Sequence, residues 1–353
     1  MTLAERKTAF VELGKFLGQF SAENITPKKG VQHNDLFFDN FSNLIELSQS
    51  HNRWFTKDEV YFALQSWANA LTPDNLDKWL SNYNLDTVEP KTIGLILAGN
   101  IPLVGFHDLI SVLITGHKAL VKTSSNDQHL LPFLAKYLIA VEPRFKEAVT
   151  FTEQKMEGFD AVIATGSNNT ARYFEYYFKD KPSIIRKNRN SAAILTGNES
   201  KEELIGLGED IFRYFGLGCR NVSKLFVPKD YDFIPFWEAI YEYRDIIQYE
   251  KYANNYDYNK AVFLMSSFKI LDNGFLTIKE DSSYSSPISS IFYEFYETTD
   301  AIKHRIETDK ELIQCIVSNI DGIEGKVAFG NTQKPQLWDY ADGVDTIAFL
   351  SKI

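Results

Sequence analysis

Two cysteines, Cys219 and Cys315, are all the thiols in 353 residues. Two cannot staple a chain of this size, which excludes a disulfide framework and points to a reducing, cytoplasmic setting. Long apolar runs are absent too. The longest are of strand length, far short of the ~20 residues that cross a bilayer, so no membrane span is expected. The opening "MTLAERKTAFVELGKFLGQF" has no uninterrupted apolar core, so a signal peptide is not expected either. Blocks of positive charge are missing: 37 basic residues stand against 47 acidic ones, a net charge of −10. That balance argues against nucleic acid as a partner, because binding a phosphate backbone needs clustered Lys and Arg. The six histidines, at 33, 51, 107, 117, 129 and 304, form no H-E-x-x-H or other close pair. With no carboxylate-rich loop beside them, a metal is not expected. A GxGxxG fingerprint, an internal repeat and a low-complexity tract are likewise absent.

What is present is a chain with 44% apolar residues, enough for a core. Its length allows two domains at roughly 100–200 residues each. The first ~90 residues read as helical, with Phe10, Leu13, Phe16, Leu17 and Phe20 at helical spacing. Thr56 and Glu59 stand in capping-box spacing, and Thr72 precedes a proline at a helix start. From "KTIGLILAGN" onward, strands alternate with helices, the pattern of a parallel sheet with helices on both faces. In the first series "KALVKTSS", "AVTF", "FDAVIATGS", "PSIIRKN" and "SAAILTG" read as strands. In the second, "KLFVP", "KAVFLMSS", "GFLTIKED", "ISSIFYEFYE", "GKVAFGN" and "VDTIAFL" read as strands, and "TDAIKHRIETDKELIQCIVSNI" as one long helix. The expected division is 1–90 helical, 91–197 a nucleotide-binding unit, 198–330 a unit holding Cys219, and 331–353 a C-terminal return segment.

Four stretches can carry chemistry, and each has a plainer reading. "GNIP" places Asn100 just beyond a buried strand, where open α/β sheets bind ligands and where a side-chain amide can serve an oxyanion; Asn and Pro also simply make turns. "LVKTSS" ends a strand with Lys122, Ser124 and Ser125, donors for a ribose or phosphate, or merely solvated groups. "VIATGSNNTARYF" runs from a strand through Thr165, Gly166 and Ser167 into a helix, a phosphate-binding arrangement that a serine cap explains as well. "FGLGCRNVSKLFVP" sets Cys219 among glycines. If a short helical turn starts there, its dipole favours the thiolate; otherwise Cys219 is a small core residue at a tight turn. Cys315, placed on the apolar side of the long helix, reads as core. His107 and Asp108 read as capping or packing groups.

These stretches, together with "NSAAILTGN", occur in an order that resembles the aldehyde dehydrogenase superfamily, and within it the acyl-CoA reductases of the LuxC type. The resemblance covers Lys91 to Pro228. It implies an α/β fold of two Rossmann-like, parallel-sheet lobes with a mainly helical N-terminal region. It also implies that Cys219 is the nucleophile, that Asn100 and the Cys219 N–H form the oxyanion hole, that Lys122 binds the adenosine ribose, and that Thr165, Gly166 and Ser167 make the turn at the cofactor pyrophosphate. Ordinary aldehyde dehydrogenases carry a glutamate in the segment that here reads "RKNRNSAAIL". This chain has Arg186, Lys187 and Arg189 there and no carboxylate. Deacylation by water then loses its base, and an acyl-enzyme exchanges with a thiol instead. Ser124 and Ser125 replace the glutamate of NAD-preferring relatives, which favours NADPH, with NADH as the alternative.

The expected activity is NADPH-dependent reduction of a fatty acyl-CoA to an aldehyde. The alternatives are another activated acyl group, such as an acyl phosphate or an acyl group delivered by a partner protein, and an inactive binding protein of the same fold. No hairpin arm of the kind that pairs superfamily subunits is found before Lys91, which leaves a homo-oligomer open.

Overall fold

A capping box opens the chain: Thr2 accepts from Glu5 N–H while the Glu5 carboxylate accepts from Thr2 N–H. Helix α1 (Leu3–Leu17) follows and buries Phe10, Leu13, Phe16 and Leu17. Helices α2 (Asn34–His51), α3 (Lys57–Ala70) and α4 (Pro73–Leu80) complete a helical N-terminal region. Thr72 caps α4 by accepting from Asn75 N–H, with Pro73 at the first helical position. Thr56 occupies the cap position of α3 but makes no side-chain capping bond, so the expected capping box is not formed.

The computed structural model describes residues 1–86 and 88–353 and divides into two units. One comprises Met1–Lys187 with Gln336–Ile353, the other Asn188–Pro335. In the first unit β1 (Thr92–Ile96), β2 (Lys118–Lys122), β3 (Val149–Phe151), β4 (Ala161–Thr165) and β5 (Ser183–Arg186) form a parallel sheet of order β3-β2-β1-β4-β5. Helices α5 (Phe106–Thr115) and α6 (Leu130–Val141) pack with α1 in the main core. Helix α7 (Asn168–Tyr177) puts Phe174 against Val162 and Ala164 in a separate cluster. The order reverses beside β1, and ligands of open parallel sheets sit at the carboxyl ends of the strands at such a point.

In the second unit the sheet order is β11-β6-β7-β10-β9-β8, from β6 (Asn190–Ile194), β7 (Val222–Pro228), β8 (Ile270–Asp272), β9 (Thr277–Glu280), β10 (Ser290–Tyr296) and β11 (Ile313–Ser318). Only β8 runs antiparallel. Helices α8 (Lys201–Phe212) and α9 (Ile234–Ile240) share one hydrophobic cluster with the sheet, α11 (Thr299–Thr308) another. The architecture is α/β, as expected from the alternating pattern.

Several expectations fail. The boundary placed at Gly197 falls earlier, because β6 pairs with β7 and β11 rather than with the first sheet. "KAVFLMSS" is not a strand: it ends helix α10 (Glu250–Met265), whose Tyr252, Tyr256 and Phe263 are buried. A short apolar run carries no period of its own, and the helical context decides. The long helix expected over 299–320 stops at Thr308. Asp309 follows, and Ile313, Cys315, Ile316 and Val317 form β11, so Cys315 is buried on a strand. "GKVAFGN" contributes one isolated bridge, Val317 to Val327. "VDTIAFL" is helix α12 (Thr346–Leu350), whose N-terminus Asp345 caps by accepting from Ala348 N–H at 2.8 Å. The return to the first unit begins at Gln336, not 331. Among the described residues no helix is long and apolar enough to cross a membrane.

Candidate active site

The first unit gathers the expected cofactor and oxyanion residues along one sheet edge. Parallel strands put all their carboxyl ends together, so the loops after β1, β2 and β4 are neighbours: Ile96 aligns with both Lys122 and Ala164. Asn100 is exposed in the loop after β1. That loop lies close against the one after β2. A Cβ on Gly99 would come within 2.7 Å of Ser124 Cβ and 3.1 Å of Asp127 N, so only glycine fits. Lys122 is half-buried, with Nζ 3.4 Å from Gln154 O. Ser124 accepts from Asn126 N–H at 3.2 Å and is committed to its own turn, while Ser125 is exposed.

After β4, Thr165 aligns with Arg186, and Gly166 N–H donates to Arg186 O at 3.2 Å. A Cβ on Gly166 would sit 3.0 Å from Thr170 Cβ and Phe174 Cε2, so glycine lets α7 close on the strand. Ser167 caps α7 by accepting from Thr170 N–H at 3.2 Å. Its hydroxyl is thus a capping group, as the plainer sequence reading had it. A lysine at a strand end, an exposed hydroxyl and a helix N-terminus on one edge suit the ribose and phosphates of a nucleotide.

The Asn100 loop is held by a residue the sequence did not single out. Leu103 has φ 58°, a left-handed conformation that strains a branched side chain. Its N–H donates to Asp127 Oδ2 at 3.1 Å. Asp127 is 8% exposed, and burial pushes its carboxyl up to about 7, against the pull of the Leu103 and Leu130 backbone. In "SSNDQH" it reads as one polar loop residue among six; nothing marks it as buried.

The cations of "RKNRNSAAIL" are spoken for. Arg186 is buried in an ion pair with Asp108, and its Nη2 donates to Thr346 Oγ1 at 3.1 Å. Lys187 pairs with Glu175 at 2.6 Å, and Arg189 pairs with Glu311 at 3.1 Å. Asp108 therefore neutralises an arginine seventy-eight positions away in sequence rather than capping its own helix, while His107 lies 2.9 Å from Leu337 O.

In the second unit, α8 ends at Phe212, and the chain makes three successive left-handed residues, Tyr214 (φ 53°), Phe215 (φ 56°) and Gly216 (φ 76°). Phe215 stacks on Tyr249 with ring centroids 4.8 Å apart. Cys219 follows and is exposed, against the core reading, whereas Cys315 is buried. Cys219 occupies a turn closed by Asn221 N–H donating to Gly218 O at 3.0 Å. No helix starts there, so the helix-dipole argument for the thiolate does not apply. The Cys219 carbonyl accepts from Ser191 Oγ at 3.0 Å. Arg220 Nη1 donates to Cys315 Sγ at 3.3 Å, which places Cys315 behind the turn.

Solved structures of aldehyde dehydrogenases resemble this chain. Aldehyde dehydrogenase 21 of Physcomitrella patens, in complex with succinate, matches with a TM-score of 0.68 at 12% identity, over 100% of this chain and 84% of its own. An NAD+ complex of an aldehyde dehydrogenase from Bacillus cereus matches with a TM-score of 0.63 at 15% identity, over 92% and 73%. Among curated proteins, a long-chain acyl-protein thioester reductase of Aliivibrio fischeri is 24% identical over 274 residues, 69% of this chain and 55% of the relative. Long-chain acyl-protein thioester reductase 2 of Photobacterium leiognathi is 24% identical over 217 residues, 56% of this chain and 45% of the relative. The chain thus spans about half the length of the curated relatives it matches. The acyl-CoA reductase (LuxC) family model matches residues 38–235, more than half of the chain. On that match and this architecture, the chain belongs to the LuxC acyl-CoA reductase family and has the aldehyde dehydrogenase fold.

Proposed function

We propose that the chain reduces a long-chain acyl thioester to an aldehyde through an S-acyl intermediate on Cys219. The observation that carries this reading is the exposure of Cys219 in a turn bonded to the buried Asn221, in a member of a reductase family. The thiolate of Cys219 attacks the thioester carbonyl. Asn100 and the Cys219 backbone N–H donate to the oxyanion. The carbon–sulfur bond of the donor then breaks, and the departing thiolate takes up a proton. Lys122, Ser125 and the turn Thr165–Gly166–Ser167 are the proposed contacts of a nicotinamide nucleotide, with Ser124 shaping the loop from beneath. When bound, that nucleotide supplies the two electrons that take the acyl group to the aldehyde. The "RKNRNSAAIL" segment offers water no carboxylate base, and its Arg186 is neutralised by Asp108, which favours reduction or thiol exchange over hydrolysis.

The acyl donor is proposed as acyl-CoA or an acylated protein thiol. The family description favours the first, and the names of the Aliivibrio and Photobacterium relatives favour the second. NADPH is the proposed reductant because the exposed hydroxyl of Ser125 tolerates a 2′-phosphate that a glutamate would repel. The test is NADPH oxidation with acyl-CoA thioesters of graded length, NADH as control, and labelled acyl-CoA to trap the intermediate. A labelled acyl group on Cys219, released by added CoA, is expected. A Cys219→Ala protein that reduces acyl-CoA at the wild-type rate overturns the proposal.

A further inference from the structure

Asn221 lies two residues beyond Cys219 and is 2% exposed. A buried primary amide must satisfy an oxygen and two N–H groups. Here Oδ1 accepts from Gly218 N–H at 2.7 Å. Nδ2 donates to the carbonyls of Arg213 at 2.8 Å and Asp210 at 3.1 Å. Those carbonyls, one in the last turn of α8 and one on the residue that caps it, are acceptors left over where the chain swings into its three left-handed residues. The amide therefore spans from the end of a helix to the residue before Cys219. It fits one way round only. Reversed, it would set its NH2 against Gly218 N–H and its oxygen against two carbonyls.

The main chain closes the other side. Asn221 N–H donates to Gly218 O at 3.0 Å, so Gly218 is bonded to Asn221 through both its peptide groups. Behind the helix end, the Asp210 carboxylate accepts from Gly330 N–H at 2.7 Å and Thr332 N–H at 2.9 Å. The end that Asn221 grips is itself anchored.

We infer that Asn221 is the positioning residue of Cys219, an inference that rests on Cys219 being the nucleophile. It fixes the backbone before and after the sulfur while remaining buried, away from substrate. Its work is to keep the thiol in one place during attack, and a displacement of about 1 Å at a reacting atom costs on the order of 10²-fold in rate.

Two variants test this. Asn221→Asp keeps the shape and the acceptor for Gly218 but turns an oxygen toward the carbonyls of Arg213 and Asp210. Asn221→Ala removes both sets of bonds. In the folded proteins kcat for acyl-thioester reduction is expected to fall about 10²-fold with KM within about threefold. Iodoacetamide labelling of Cys219, followed by peptide mass spectrometry, is expected to slow about tenfold. A folded Asn221→Asp protein with a lowered melting temperature but wild-type kcat and labelling overturns the inference. Should neither variant fold, hydrogen exchange on the wild-type chain decides. Protection of the Gly218 amide by about 10²-fold supports the inference, and exchange at the open-chain rate overturns it. If Cys219→Ala retains reduction, the catalytic role of Asn221 falls with the nucleophile. Labelling and exchange then still report whether Asn221 holds the turn.

Discussion

The loops that present Asn100 and Cys219 solve one problem with different chemistry. Each follows a regular element, each contains left-handed residues with side chains, Leu103 in one and Tyr214 and Phe215 in the other, and each is pinned through a backbone N–H by a buried polar side chain. The pin in the first unit is a carboxylate, Asp127; in the second it is a neutral amide, Asn221. An amide keeps its hydrogen bonds at any pH, whereas a carboxylate near 7 changes charge in the range where enzymes work. The Asn100 loop is thus pinned directly by a titrating group, whereas the nucleophile turn meets one only a step further back, at Asp210, whose carboxyl burial pushes up to about 6.

The largest effect expected is at the sulfur. Cys219→Ala should leave no labelled acyl-enzyme and no reduction, measured by mass spectrometry and NADPH oxidation. Next comes the partner loop. Asn100→Ala should lower kcat by about 10²–10³-fold, the usual loss for one oxyanion donor. An equal loss in acyl-enzyme formation would place the effect before the reductive step. Glycine positions separate the loops further. Gly99→Ala drives a methyl group into Ser124 and Asp127 and should destabilise by about 1–3 kcal/mol in denaturant titration, as overpacking does. Gly216→Ala has room, its new Cβ 3.4 Å from Ile211 O, but φ is 76°, so a cost of about 1–2 kcal/mol from backbone strain alone is expected.

Cofactor choice is a smaller matter. Ser125→Glu should shift the ratio of kcat/KM for NADPH over NADH by about tenfold toward NADH, the effect of one like charge near an exposed phosphate. The smallest effect sharpens the comparison itself. Asp127 is raised from 3.8 to about 7, so the folded chain holds more protons than the unfolded one between those values. Its contribution to stability is complete below about pH 4 and is lost as pH rises through 7. Asp127→Asn should therefore flatten the fall in melting temperature between pH 5 and 8 relative to wild type. Asn221→Ala, which removes no titrating group, should shift the whole curve without changing its slope.

The first sheet was largely legible because its strands are continuous apolar runs closed by glycine or asparagine, and its helices carry caps that the sequence displays, such as Ser167 and Thr72. Cys219 drew attention through the glycines around it, and the turn they make leaves it exposed rather than in the core. The second half of the chain was harder for a physical reason. "KAVFLM" and "ELIQCIVS" are both short apolar runs, and only their neighbours decide that one prolongs α10 while the other becomes β11. Asp127, Asn221 and the Asp108–Arg186 pair were hidden more deeply. A polar residue in a loop looks solvated until the fold buries it, and Arg186 meets Asp108 only after β2, β3, β4 and β5 have been laid into the sheet.

The contact between Arg186 and Thr346 has a consequence for how this molecule is made. The first unit is interrupted in sequence: it is finished by residues 336–353, where Leu350 O lies 2.9 Å from His117 Nε2 and Ile347 and Leu350 join the main core. On a ribosome, which releases the chain from its N-terminus, the inserted unit is complete while its host still waits for these last contacts. Until residues 336–353 emerge, the host carries an open apolar seam and a buried arginine short of one hydroxyl. That interval is when a chaperone would find this chain.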